Sequence, residues 1–337
     1  MVRVITLSLL CIAAALAGQA ATPTAPTLHS TPPVESATAA PLKIVVANPV
    51  AADLVRGLGG KDLALVVLGA GGGDPHHYEP TPADAQQIAS ADLVVQFGLG
   101  LDRPLAKLHA STASRGTLLV IADGLAKAAS AGAAGVHAHD HAHDHAHDHA
   151  HDHDSAGSVD PHIWHDPSKV QVLNQRLCEA LVALRPQSVD AFRARSLALD
   201  GELVKLDTWI KSQVQTIAPE KRVLVTTHDG LSYFADRYGF RVVGVEMMGG
   251  GVSQSDPSPQ ELIKMVREVQ ATKCGVVLGD AAHPSRVAAT VAREAKVRLV
   301  ETLQLDGLLQ PPAVEPGKAY LETMRANVKA IVKALNE

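Results

Sequence analysis

Lys43-Ile44-Val45-Val46-Ala47-Asn48-Pro49 is a run rich in β-branched residues closed by a turn signal. It reads as a short buried strand followed by a break. Residues 50–58 continue with apolar residues at helical spacing, and Gly59-Gly60 stops them. Residues 63–68 return to a β-rich run, which ends in the glycine-rich loop 69–73. The order is strand, helix, strand, and it repeats. Residues 82–90 are helical, and strands follow at 93–95 and 118–121. Strands alternating with helices predict βαβ units and a mostly parallel sheet.

The same alternation returns in the second half. Strands are predicted at 222–226, 241–245, 275–278 and 297–300, with helices at 233–238, 258–271, 285–295 and 317–335. Ser258-Pro259 with Glu261 forms a capping signature at the start of one of them. Between the halves lie two helical stretches, 168–184 and 188–217. Leu197, Leu203, Leu206 and Ile210 mark the apolar side of the second. The expected class is α/β, with two Rossmann-like lobes joined by a long rigid helix. The expected segments are a first lobe over 42–187, a linking helix over 188–218 and a second lobe over 219–337.

Ahead of the first lobe, Met1-Val2-Arg3 gives a positive start and residues 4–16 an apolar run. This is the pattern of an export signal over residues 1–20, too short to span a bilayer comfortably. Ala15-Leu16-Ala17 and Gly18-Gln19-Ala20 both suit cleavage. Cys11 lies inside the apolar run, which favours a soluble periplasmic protein over an anchored one. Residues 21–41, rich in Thr, Pro, Ala and Ser, read as a disordered spacer. The net charge of −5 carries no basic footprint, so nucleic acid is not an expected partner. After export two cysteines remain, Cys178 and Cys274, and both are read as free thiols.

His137, His139, His141, His143, His145, His147, His149, His151 and His153 stand at alternate positions between Ala and Asp. Neutral imidazole is the commonest metal ligand near physiological pH. A tract this polar cannot bury enough apolar surface to fold by itself. Residues 136–155 are therefore expected to be a loop that collects metal, zinc above all.

Four polar groups follow predicted strand ends or the loops just beyond, the edge where open α/β sheets bind ligands. They are Asp74-Pro75-His76-His77-Tyr78-Glu79-Pro80, Asp160-Pro161-His162-Ile163-Trp164-His165-Asp166-Pro167, Thr227-His228-Asp229 and Leu305-Asp306-Gly307. Three histidine sites and an aspartate drawn from both halves fit one four-ligand metal site. One carboxylate would leave a bound dication with a net charge of about +1, which limits the cost of burying it.

These residues carry a resemblance. Asp-Pro-His-x-Tyr-Glu-Pro at 74–80, the run 91–102, Asp160-Pro161-His162-Ile163-Trp164 and the run 227–234 resemble the metal-binding proteins of bacterial ABC transporters that take up zinc or manganese. The likeness covers nearly all of 42–337. It implies a cluster A-I type solute-binding protein, not an enzyme. It is expected to work as a monomer, to hand zinc to an inner-membrane permease, and to have an accessory periplasmic zinc chaperone as a further candidate partner. The histidine tract between the first two motifs looks like the zinc branch. The resemblance assigns His76, His162, His228 and Asp306 as ligands of Zn²⁺, with Mn²⁺ as the alternative cargo. His77 is the runner-up to His76. Asp280 and His283 are the runners-up to Asp306; otherwise they read as a helix-capping carboxylate and a surface histidine. His165 is either a supporting partner of His162 or an exposed loop residue. Tyr78, Trp164 and Tyr233 either line the site or serve as core aromatics. Glu79, Asp160, Asp166 and Asp229 either orient ligand imidazoles or shape turns. His29 and His109 lie outside every motif and read as exposed.

A manganese carrier or a metal-binding adhesin of the same fold is the alternative reading. A zinc hydrolase fits poorly, because no His-Glu-x-x-His helix occurs. A dinucleotide-binding enzyme fits no better, because 69–73 runs into Asp74-Pro75 and not into a helix.

Overall fold

The computed structural model describes residues 40–69, 78–126, 159–227, 230–245, 257–310, 315 and 317–337. The export signal, all but the end of the spacer, His29, His76, His77, the histidine tract, His228 and Asp229 lie outside the described residues. Residues 40–337 cluster as one compact unit.

Two α/β lobes carry one four-stranded parallel sheet each. In the first lobe the elements are β1 (Leu42–Val46), α1 (Pro49–Gly59), β2 (Leu63–Val67), α2 (Pro82–Ala89), β3 (Leu93–Gln96), α3 (Arg103–Ser111) and β4 (Thr117–Val120). The strand order is β2-β1-β3-β4. Then come α4 (Pro167–Leu184) and α5 (Val189–Val214). The second lobe runs β5 (Val223–Thr226), α6 (Ser232–Tyr238), β6 (Arg241–Gly244), α7 (Pro259–Thr272), β7 (Val276–Asp280), α8 (Arg286–Ala295), β8 (Arg298–Leu303) and α9 (Ala319–Asn336). Its order is β6-β5-β7-β8, the same pattern. In each sheet the winding reverses beside its first strand, which opens a crevice at the strands' C-terminal ends.

Local chemistry sets the element ends. Asn48 caps α1, its side chain accepting from the amides of Val50 and Ala51 at 2.9 and 3.0 Å. Capping boxes open α2 (Thr81 with Asp84) and α7 (Ser258 with Glu261), as the sequence pattern predicts for the second. The central strands are apolar on both faces because both are covered. Ile44 and Val46 point into the main core while Val45 joins a smaller cluster with Ile88, Val94 and Leu105. Likewise Leu224 and Leu278 join the main core while Val225 and Val277 pack with Met265, Val269 and Val291.

The main core crosses from one lobe to the other. It contains Leu54 and Leu58 of α1, Leu173 and Leu177 of α4, Phe192, Leu203, Leu206 and Ile210 of α5, and Val328 and Ile331 of α9. The linking helix therefore packs along both lobes and does not stand clear as a bare strut. It is 26 residues long, about 39 Å at 1.5 Å per residue, and shorter than the sequence pattern suggested. Leu197 lies on its solvent side at 74 % exposure, so it does not belong to the apolar stripe. Phe192, Ser196 and Val214 complete the buried face in its place. The expectation missed α3, whose short apolar face buries only Leu105. Cys178 and Cys274 are free thiols, as expected. Among the described residues no helix is long and apolar enough to cross a membrane.

Two further polar ties join the lobes. Asp53 of α1 is buried and accepts from the amides of Gly317 and Tyr320, both at 2.9 Å, at the start of α9. Gly317 has φ +81°, and a Cβ there would stand 2.8 Å from the backbone of Gly57, so both conformation and clearance require glycine. The second tie is Arg237 of α6. Its Nε lies 2.7 Å from Asp207 of α5 and 3.2 Å from Asp166, the cap of α4. Burial alone works against a charged Asp207, but hydrogen bonds from Arg237, Lys211 and Tyr238 outweigh it and hold its pKa at about 2.

That tie has an acid limb. The folded pKa of Asp207 lies below its ordinary 3.8, so its contribution is complete above about pH 4 and is lost as pH falls towards 2. Arg237→Met is expected to cost about 1–3 kcal/mol at pH 7 and to flatten the stability profile between about pH 4 and 2. Urea unfolding of both proteins across that range checks it. Parallel profiles would show that the tie is idle.

Candidate metal centre

The crevice site is built on a single turn. Residues 163–165 form one turn of 3-10 helix, preceded by His162 and followed by Asp166. Asp166 caps α4 through the Ser168 amide at 2.9 Å, so it shapes the helix start and does not orient an imidazole. The His162 side chain is buried and held at both ring nitrogens. Nδ1 stands 2.7 Å from Asp160 Oδ1, which also accepts the His162 amide at 2.9 Å. Nε2 stands 3.0 Å from Asp306 Oδ1. Asp306 lies beyond β8 in the other lobe, so two of the four expected donors meet across the crevice.

Electrostatics match this geometry. Burial by itself lowers the basicity of His162. Hydrogen bonds and charge from Asp160 and then Asp306 override it and raise the ring to about 9. In the cation-free ring Nδ1–H donates to Asp160 and Nε2–H to Asp306. Asp160 is held below its ordinary value, because hydrogen bonds from His162 and Ser232 outweigh its burial. Ser232 Oγ donates to Asp160 Oδ2, and Tyr233 hydroxyl donates to the Asp160 carbonyl at 3.2 Å. The start of α6 thus braces the carboxylate that orients His162, a supporting arrangement common around metal-bound imidazoles.

Trp164 fixes the opposite side. Its indole N–H donates to the Leu305 carbonyl at 2.9 Å, and its own carbonyl accepts from Tyr320 hydroxyl at 2.7 Å. Its ring lies edge-on to His162 at 5.1 Å and to Phe97 at 5.4 Å. Phe97 is set by Asp102, whose carboxylate takes the amides of Phe97 and Gly98 at 2.6 and 2.9 Å. That explains the 97–102 motif as turn geometry under the site.

His165 corrects one expectation outright. It is 2 % exposed, not a loop residue in solvent. Burial, with the His162 charge beside it, pushes its pKa down to about 4. The neutral ring donates from Nε2 to the Leu305 carbonyl at 3.0 Å. Leu305 is therefore held twice, by Trp164 and His165, and Asp306 is the next residue. Asp280 also departs from its reading as a cap, since Ser285 caps α8. It is buried at the end of β7 and sits 2.8 Å from His283 Nδ1. Tyr78 packs with the Ile88 and Val94 cluster as a core aromatic, while Glu79 is exposed. His109 is half-buried and contacts the Gly116 carbonyl at 3.0 Å.

The sequence offered no signal for the Leu305 carbonyl, because it is a backbone group, nor for Tyr320. Ser232 stands in the 227–234 run without a role, and Tyr233 is read there only as a lining or core aromatic, not as a donor to Asp160.

Two parallel α/β lobes that meet at their strand ends beside a long shared helix are the build of a two-lobed solute-binding protein. The chain belongs to the ZnuA family, described as zinc-uptake complex component A periplasmic, whose profile matches residues 44–334. It is 25 % identical over 297 residues to the manganese-binding lipoprotein MntA of Halalkalibacterium halodurans, covering 88 % of this chain and 89 % of that one. It is 26 % identical over 288 residues to the zinc-binding protein TroA of Treponema pallidum, covering 84 % and 85 %. The solved structure of that periplasmic TroA superposes with a TM-score of 0.71 at 23 % identity, over 88 % of this chain and 99 % of the other. The chain is thus a metal-binding component of an ABC uptake system, a class that works with a membrane permease and is not enzymatic.

Proposed function

We propose that the chain is the zinc-type carrier of its class, exported to the periplasm, with His76, His162, His228 and Asp306 as the ligands of one Zn²⁺. The observation that carries this is the His162–Asp306 pair at 3.0 Å. Donors at about 2.0–2.1 Å from a tetrahedral zinc stand about 3.4 Å apart. A shift of a few tenths of an ångström admits the ion, with Asp160 keeping Nε2 aimed at it. The loops bearing His76 and His228 leave β2 and β5 at the same strand ends, which supports their addition. Three imidazoles and one carboxylate favour zinc over manganese, since affinities for a common donor set rise from Mn²⁺ towards Zn²⁺. A sphere filled by protein donors activates no water, which suits a carrier. Manganese remains the second reading, supported by the relative named for it.

The histidine tract acts as a collector of further, weaker zinc ions. Its alternating imidazoles raise the local zinc concentration available to the carrier. Deletion of residues 135–155 is expected to leave one tight zinc per chain and to remove the weak ones. Calorimetric titration of metal-free protein with zinc and then manganese tests both statements. Loss of the tight site on deletion, or tighter manganese than zinc, contradicts the assignment.

A further inference from the structure

The end of β7 repeats the construction found around His162. There, Asp160 holds Nδ1 of a histidine at 2.7 Å, and the ring meets Asp306. Here, Asp280 holds Nδ1 of His283 at 2.8 Å. Donor atoms of Asp280, His283 and Asp306 all lie within 4.8 Å of one another. Asp280 and Asp306 are both buried. Asp280 has one oxygen committed to the loop, accepting from the amides of Ala282 and Leu305 at 3.3 and 3.4 Å. Its other oxygen is turned to His283. A carboxylate needed only to order that loop has no use for an imidazole that reaches solvent, 41 % exposed. Two buried carboxylates this close repel; His162 at 3.0 Å relieves Asp306 on one side, and a divalent cation between the two carboxylates relieves both.

We propose that Asp280, His283 and Asp306 form a second divalent-cation site that shares Asp306 with the principal one. This rests on the zinc reading given above. One imidazole and two carboxylates suit zinc, and suit manganese better than the principal site does. Asp306 is common to both and has two carboxylate oxygens, so it links the sites and lets an ion pass from one to the other. His283 is the exposed member, so it meets an arriving ion first. Asp306 then passes the ion inward to His162 Nε2. His283 is thus an entry ligand, placed at the rim by the buried Asp280.

The test is diffraction at the zinc absorption edge from full-length His162→Ala crystals grown with zinc. The expected result is an anomalous peak within about 2.0–2.2 Å of His283 nitrogen and an Asp306 oxygen, lost in His162→Ala/His283→Ala. No peak there, or a peak that survives removal of His283, overturns the inference. If His162→Ala does not fold, wild-type crystals in tenfold excess zinc replace it. They are expected to show a second, partly occupied peak at His283, and its absence is equally decisive. Wild-type crystals with one equivalent of zinc separate the two levels. A missing peak at His162 rejects the zinc site itself, whereas a peak at His162 with none at His283 in either experiment rejects only the entry site.

Discussion

His162→Ala is expected to weaken zinc binding by more than a hundredfold, about 2.7 kcal/mol. The imidazole is the donor that links the lobes, with Asp306 at 3.0 Å on one nitrogen and Asp160 at 2.7 Å on the other. Losing a group that merely orients a metal-bound histidine costs about 10–100-fold. Losing the donor exceeds that, and Asp160→Asn should fall within it. Competition with a zinc chelator, read on the tight phase, measures both. The melting temperature of metal-free protein controls for misfolding. An unchanged tight phase in His162→Ala would mean that zinc is held elsewhere.

Trp164→Ala is expected to remove about 3–5 kcal/mol of stability. The indole is buried against His162 and Phe97 and holds the Leu305 carbonyl. The alanine leaves a cavity under the site and half the support of the residue that precedes Asp306. For a unit this size the melting temperature should fall by on the order of 10 °C. Trp164→Phe divides the effect. It keeps most of the ring volume and loses the N–H···O bond, a change of about 1 kcal/mol. Its zinc affinity should drop severalfold, because Asp306 is less well placed. Calorimetric melting and chelator competition read the two quantities separately. A Phe variant as unstable as the Ala variant would put the weight on the hydrogen bond and not on packing.

The architecture was legible because its signals are local. Runs such as 44–47 and 223–225 are apolar throughout, as strands covered on both faces must be, and glycine pairs and capping boxes mark the helix ends between them. Strand order and the reversal beside β1 and β5 follow from pairings between distant segments, which no local pattern states. Leu197 shows the limit on one helix. Its spacing from Leu203 and Leu206 passes as helical, yet it points to solvent. α3 was missed because a helix that buries one leucine has almost no apolar period to detect. At the site, residue types were readable and environments were not. The sequence marks His162, His165 and Asp306 as candidates. Only the fold makes His162 basic, keeps His165 neutral and brings Asp306 across from the other lobe. The partner of His165 is a carbonyl 140 residues away, and carbonyls leave no trace in a list of side chains.

A zinc-edge anomalous difference map from crystals loaded with one equivalent of zinc bears most directly on the convergence of both lobes on one ion. The account predicts a single strong peak in the crevice, about 2.0–2.2 Å from His162 Nε2 and from an Asp306 oxygen, with His76 and His228 completing the sphere. A peak confined to the histidine tract, with His162 and Asp306 still bonded directly to each other, would contradict it.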